Sequence, residues 1–133
     1  MSKSFIPYLQ HILDECHYIT SVITDDIQMY QFLSDETLKR AITRSLSIIG
    51  EATKKIPADI KYQWRSISWR EMAGMRDKLV HDYMGINYLI VWDVAKNIIP
   101  KLTEQIEQVI NSQEVSQWFF KPKMCMKGLK KSF

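Results

Sequence analysis

The stretch Arg76-Asp77-Lys78-Leu79-Val80-His81-Asp82-Tyr83 decides how the rest of this chain is read. It sets a permanent cation, an imidazole and a phenol within eight residues. Its lead-in, Ile67-Ser68-Trp69-Arg70-Glu71-Met72-Ala73-Gly74-Met75, is an aromatic anchor opening into helix-forming sequence. Together they predict one helix from about Trp69 to Tyr83, ending near Gly85 as a natural C-cap.

Outward from that segment the apolar spacing is helical as well. Residues 5–19 place Phe5, Tyr8, Leu9, Ile12, Leu13, Cys16 and Ile19 three and four apart. Asp25-Asp26 opens a shorter helix through Leu33. Ser34 is the expected N-cap of a long helix over about 35–56, which stops before Pro57. Its inner stripe is Leu38, Ile42, Ser45, Ile49, Ala52 and Ile56. Residues 57–68 form a connection with a helical turn around Ile60–Trp64. Asn87 caps the last long helix, in which Pro100 should bend or locally break the backbone. No segment alternates apolar and polar residues for long enough to make a strand, and four Gly and four Pro argue for few turns. The expected fold is all-α: an antiparallel bundle of about four principal helices plus short ones, with no sheet.

At 133 residues the chain is one domain with a modest core, and 46% hydrophobic with 25% charged residues describes an ordinary globular protein. No run approaches a membrane span. The start, Met1-Ser2-Lys3-Ser4-Phe5-Ile6-Pro7, lacks an apolar signal core, so the cytoplasm is the expected compartment. Cys16 and Cys125 make no disulfide framework, and Cys16 falls on an apolar stripe. His11 and His17, six apart with Asp14 between them, have poor metal spacing; no metal and no cofactor is expected. Of the net charge of +3, residues 1–114 contribute −2 and the five lysines of 115–133 the rest. The expected organisation is a helical domain over 1–114 and a basic, flexible tail over 115–133. Trp118, Phe119 and Phe120 interleaved with lysines there would also suit single-stranded RNA. Residues 54–78 carry seven bases against three acids, a local basic patch around Arg76 that suits a polyanion.

The pattern Arg-x4-His-x-Tyr after such a lead-in resembles the HEPN ribonucleases, in particular the HepT-like toxins. Ser45-Leu46-Ser47-Ile48-Ile49-Gly50-Glu51-Ala52 looks like a second signature of that family, and Asp82-Tyr83-Met84-Gly85-Ile86-Asn87 followed by Val91-Trp92 a third. The resemblance covers roughly residues 3–110. It implies a HEPN-like fold and a composite site at a homodimer interface, with RNA, tRNA above all, as target. It also implies a partner: a minimal nucleotidyltransferase antitoxin of the MntA kind, assembling with the dimer into a higher hetero-oligomer in a type VII-like toxin–antitoxin system. That enzyme transfers AMP onto the tyrosine matching Tyr83.

RNA can be cut without a metal because its own 2′-OH lies beside the scissile phosphate. Histidine suits both proton transfers, its pKa lying near neutrality, and arginine's planar fork suits the phosphorane oxygens. His81 is therefore the candidate proton-transfer residue and Arg76 the candidate phosphate clamp of a metal-independent endoribonuclease. One chain carries one such histidine, and on a continuous helix Arg76 and His81 would stand about 140° apart. Both arguments point to two protomers sharing a cleft. Asp77, one helical turn before His81, would share its face and orient the imidazole, or else make an ordinary surface pair. Adenylylated Tyr83 would repel RNA by its charge. Arg44, Ser47 and Glu51 gather within about 60° of one another on the outer side of their helix, facing the cleft or the second subunit. Lys78, Arg70, Lys54 and Lys55 are candidate RNA contacts. Gly50 inside that helix costs about 1 kcal/mol relative to Ala; a close helix approach, expected at the dimer contact, would justify it. The alternative function is a non-catalytic HEPN module that binds a nucleotidyltransferase.

Overall fold

Helix α1 (Ile6–Val22) starts with Pro7 in its first turn, where the missing N–H breaks no intrahelical bond. Its stripe of Leu9, Ile12, Leu13, Cys16 and Ile19 is buried against both α3 (Glu36–Thr53) and α8 (Ile99–Phe120). The computed structural model describes residues 5–81 and 85–120, the side chains of 80–81 and 114–120 excepted. Its architecture is the all-α bundle expected from the pattern of apolar residues.

The short α2 (Met29–Ser34) begins later than Asp25-Asp26 suggested, because Gln28 and Gln31 form a reciprocal capping box at its start. The cap of α3 is Asp35 rather than Ser34: its carboxylate accepts the Leu38 N–H at 3.0 Å. From there Ile42, Ser45, Leu46, Ile49 and Ala52 turn inward. α4 (Ala58–Gln63) fills the connection after Pro57.

The motif segment is not one helix. It forms α5 (Trp69–Ala73) and α6 (Met75–Leu79), separated at Gly74, and then leaves the helix altogether. Val80–His81 (β1) pair antiparallel with Gly85–Ile86 (β2), with Val80 opposite Ile86 and His81 opposite Gly85. The helix stops because its last carbonyl is taken from outside: the Asn87 N–H donates to Leu79 O at 2.9 Å. A helical extension through Tyr83 would forfeit that bond and the β1–β2 pairing. The 140° separation and the shared face of Asp77 and His81 both presupposed a continuous helix, so neither holds.

Asn87 caps α7 (Tyr88–Asp93) as expected, its side-chain oxygen accepting from the Leu89 and Ile90 N–H groups. Pro100 lies just past a local change in the last helical run. It cannot donate to the carbonyl four residues back, and the chain adjusts by a π-helical stretch over Val94–Ile98, in which the Ile99 N–H reaches Val94 O. Dihedrals stay helical at Val94 and Ile99, and α8 continues to Phe120, beyond the boundary expected at residue 114. Residues 121–133, with Cys125, lie outside the described residues. Among the described residues no helix is long and apolar enough to cross a membrane.

Cys16 is fully buried in this core. Burial pushes its thiol up to about 12, against a smaller opposing hydrogen bond with Thr103. An unfolded thiol releases its proton near 9.0, so unfolding is favoured increasingly as pH rises from there towards 12, and stability falls across that window. In a Cys125→Ser background, Cys16 should resist a thiol reagent at neutral pH in the native protein and react fully only in denaturant. Native reaction at the rate of a free thiol would contradict its burial.

Candidate active site

Three inward residues set the orientation of the motif segment. Met72, Met75 and Leu79 are buried at helical spacing, and Trp69 is locked at the start by an indole N–H donated to Trp64 O at 3.0 Å. Anchored this way, α6 turns Arg76, Asp77 and Lys78 outward, and α5 turns Arg70 outward. Leu79 is wholly buried, so the position of the outward residues follows from core packing rather than from surface contacts.

The segment lies directly on α3. At Gly50 a Cβ would sit 3.1 Å from the Met72 carbonyl oxygen, with Met75 Cβ at 3.7 Å. The close approach inferred from a glycine in mid-helix is therefore real, but it is internal: the neighbour is the α5–α6 junction of the same chain, not a second subunit. This contact brings Glu51, the next residue, beside Arg76. One carboxylate oxygen of Glu51 stands 3.8 Å from the Arg76 guanidinium and 3.6 Å from Lys54 Nζ.

These ion pairs are loose. Both distances exceed a charge-assisted hydrogen bond, and the Arg76 and Glu51 side chains are 64% and 54% exposed. Exposed pairs of this kind contribute at most about 1 kcal/mol. Arg76 can therefore exchange the carboxylate for a phosphate that offers two oxygens to its fork.

His81 is the residue opposite Gly85 in the β1–β2 pairing, two residues beyond the end of α6. Gly85 has φ +87°, a conformation that L side chains rarely adopt. The backbone at His81 is thus set by its pairing with a positive-φ glycine and by the nearby Asn87–Leu79 bond. Tyr83 lies outside the described residues. Lys54 and Lys55 are exposed at the end of α3, next to Glu51; Arg44 is exposed two turns earlier on the same helix. The structure thus gathers Arg76, Glu51 and Lys54, while Arg70 and Asp77 are exposed on α5 and α6.

Two residues outside the expected set also belong to this region. Tyr8 and His11 of α1 face Arg44, Glu51 and Lys55 across a cleft of about 260 Å³ between α1 and α3. The one signal for them was an aromatic pair three residues apart, flanking the buried stripe of α1. Read for metal spacing alone, His11 gave no such indication.

The family described as Ribonuclease HepT-like matches residues 11–109. A protein of Caldanaerobacter subterraneus subsp. tengcongensis that carries a provisional RNase name is 41% identical over 108 residues, covering 81% of this chain and 96% of the relative. A similarly named protein of Methanocaldococcus jannaschii is 41% identical over 105 residues, covering 77% and 90%. The "Probable ribonuclease HepT" of Thermococcus cleftensis is 40% identical over 109 residues, covering 82% and 98%. No solved structure matches the chain.

Three glycine substitutions should separate these constraints in thermal or denaturant unfolding. Gly50→Val presses on a backbone carbonyl and should cost about 1–3 kcal/mol. Gly85→Ala should cost about 1–2 kcal/mol through its backbone conformation alone. Gly74→Ala, whose Cβ meets nothing nearer than 3.4 Å at ordinary φ, should be tolerated. Equal tolerance of all three would refute the close approach on α3.

Proposed function

The chain belongs to the HepT-like ribonuclease family, and we propose that it is an endoribonuclease that cuts RNA without a metal, by attack of the 2′-OH on the adjacent phosphate. The observation that carries this reading is the placement of Arg76: outward on α6, beside a loosely held Glu51, with His81 just past the end of the helix. Arg76 grips the phosphate oxygens as charge gathers on them. His81 moves the proton, either from the 2′-OH or to the departing 5′-oxygen. The products are a 2′,3′-cyclic phosphate and a 5′-OH.

Two proton transfers on opposite sides of the phosphate need two groups, so a homodimer pools both motifs in one groove. A second argument is dielectric. A phosphate held by an arginine that is 64% exposed remains largely in water, where its charge is screened. A second protomer closing over the site would raise the value of every charge in it.

Within this reading the RNA is tRNA, as the resemblance implies, and the protein acts as the toxin of a type VII-like pair. Its antitoxin is an MntA-like nucleotidyltransferase that transfers AMP to the phenol of Tyr83, two residues from His81. The added phosphate brings bulk and a negative charge beside the RNA path, which opposes RNA binding by like-charge repulsion.

Cleavage in excess EDTA with 2′,3′-cyclic phosphate ends is the expected result for the wild-type protein. His81→Ala and Arg76→Ala should each lower the rate by roughly 10²–10⁴. Undiminished cutting by His81→Ala would assign the activity elsewhere. Tyr83→Phe should still cut RNA yet accept no AMP from a cognate nucleotidyltransferase; continued labelling of that variant would refute the acceptor assignment.

A further inference from the structure

The α1–α3 cleft is the remaining feature with a distinct chemistry. Its walls carry Tyr8 and His11 on one side and Arg44, Ser47, Glu51 and Lys55 on the other. Arg44 lies on α3 and Lys55 two residues past its end at Thr53, so the nine residues from Arg44 to the helix end already separate the two cations by roughly 13 Å at 1.5 Å per residue. Glu51 belongs to this wall and also stands 3.8 Å from Arg76, so the cleft opens beside the candidate phosphate clamp. The rings of Tyr8 and His11 meet edge to face at 6.3 Å, a pre-set aromatic surface at the cleft wall.

We propose that this cleft is a second RNA subsite, holding single-stranded RNA that flanks the scissile phosphate. Arg44 and Lys55 take backbone phosphates, and a base packs against the Tyr8–His11 pair. The proposal rests on the ribonuclease reading and adds where the strand runs. Charge favours RNA over a second copy of this chain as the occupant. The walls hold two permanent cations and a histidine against one carboxylate, and that carboxylate is shared with Arg76 and Lys54. A polyanion neutralises such a face, whereas a two-fold copy would set it against its own like charge.

The test uses the full chain and a short fluorescent 2′-O-methyl oligoadenylate, which has no free 2′-OH and cannot be cut. Affinity is measured by anisotropy across a salt series at pH 8, with sedimentation of every variant. For wild type, log K falls with log salt. In Arg44→Ala/Lys55→Ala the slope should be shallower by about 1.4, two phosphate contacts at about 0.7 each on a single strand. That corresponds to binding about 25-fold weaker at 0.1 M salt if the two proteins coincide at 1 M. His11→Ala should bind at least about fivefold more weakly with an unchanged slope, as loss of stacking without charge requires. A double variant with the wild-type slope overturns the subsite. So does a double variant that sediments as a smaller species than wild type, because the cleft is then a contact between copies. A wild-type protein that cuts RNA while the double variant keeps its slope condemns the subsite alone; one that neither binds nor cuts removes the ribonuclease reading beneath it.

Discussion

The contact of α3 with the α5–α6 junction across Gly50 governs this structure. α3 packs on α1 with one side and on the motif segment with another, so it fixes where both halves of the site stand. At Gly50 the approach is too close for a side chain, with 3.1 Å from a would-be Cβ to the Met72 carbonyl. The helix gives up about 1 kcal/mol of propensity for that glycine. In return the outward residues of α6 come level with the outward residues of α3, which is how Arg76 and Glu51 meet although they are distant in sequence.

The second half of the motif is placed by hydrogen bonds instead of packing. The Leu79 carbonyl, left open by the end of α6, takes the Asn87 N–H, and the same Asn87 caps α7 with its side chain. One residue thus ends one helix and begins another, and His81 lies between them on a two-residue pairing closed by Gly85. A short arginine-bearing helix anchored by buried Met75 and Leu79, and a separately tethered histidine, give the two candidate groups independent supports. The loose Glu51 pair keeps Arg76 oriented without binding it tightly enough to exclude a phosphate.

Much of the bundle was legible because local rules coincide with tertiary ones. The stripes of α1 and α3, the burial of Cys16 and the Asn87 cap follow from periodicity and side-chain chemistry that the fold then uses unchanged. The end of the motif helix was not legible. Nothing local at Leu79 stops a helix; the bond that ends it comes from residue 87. Pro100 announced a disturbance but not its form, since a π turn and a kink both answer a missing N–H. Gly50 revealed the need for a close neighbour while concealing which one. Tyr8 was read only as part of the α1 stripe and His11 only for metal spacing, because the cleft they line depends on the packing of α1 against α3, which periodicity predicts only as burial.

The central claim is that Arg76 and His81 act on one phosphodiester, with two protomers contributing to the groove. Mixing wild-type with His81→Ala protein at fixed total concentration, under conditions that let subunits exchange, tests it directly. The account predicts that RNA cleavage falls with the square of the wild-type fraction, because a mixed dimer holds one imidazole where two proton transfers need two. Cleavage that falls only in proportion to the wild-type fraction, although subunits exchange, would contradict it.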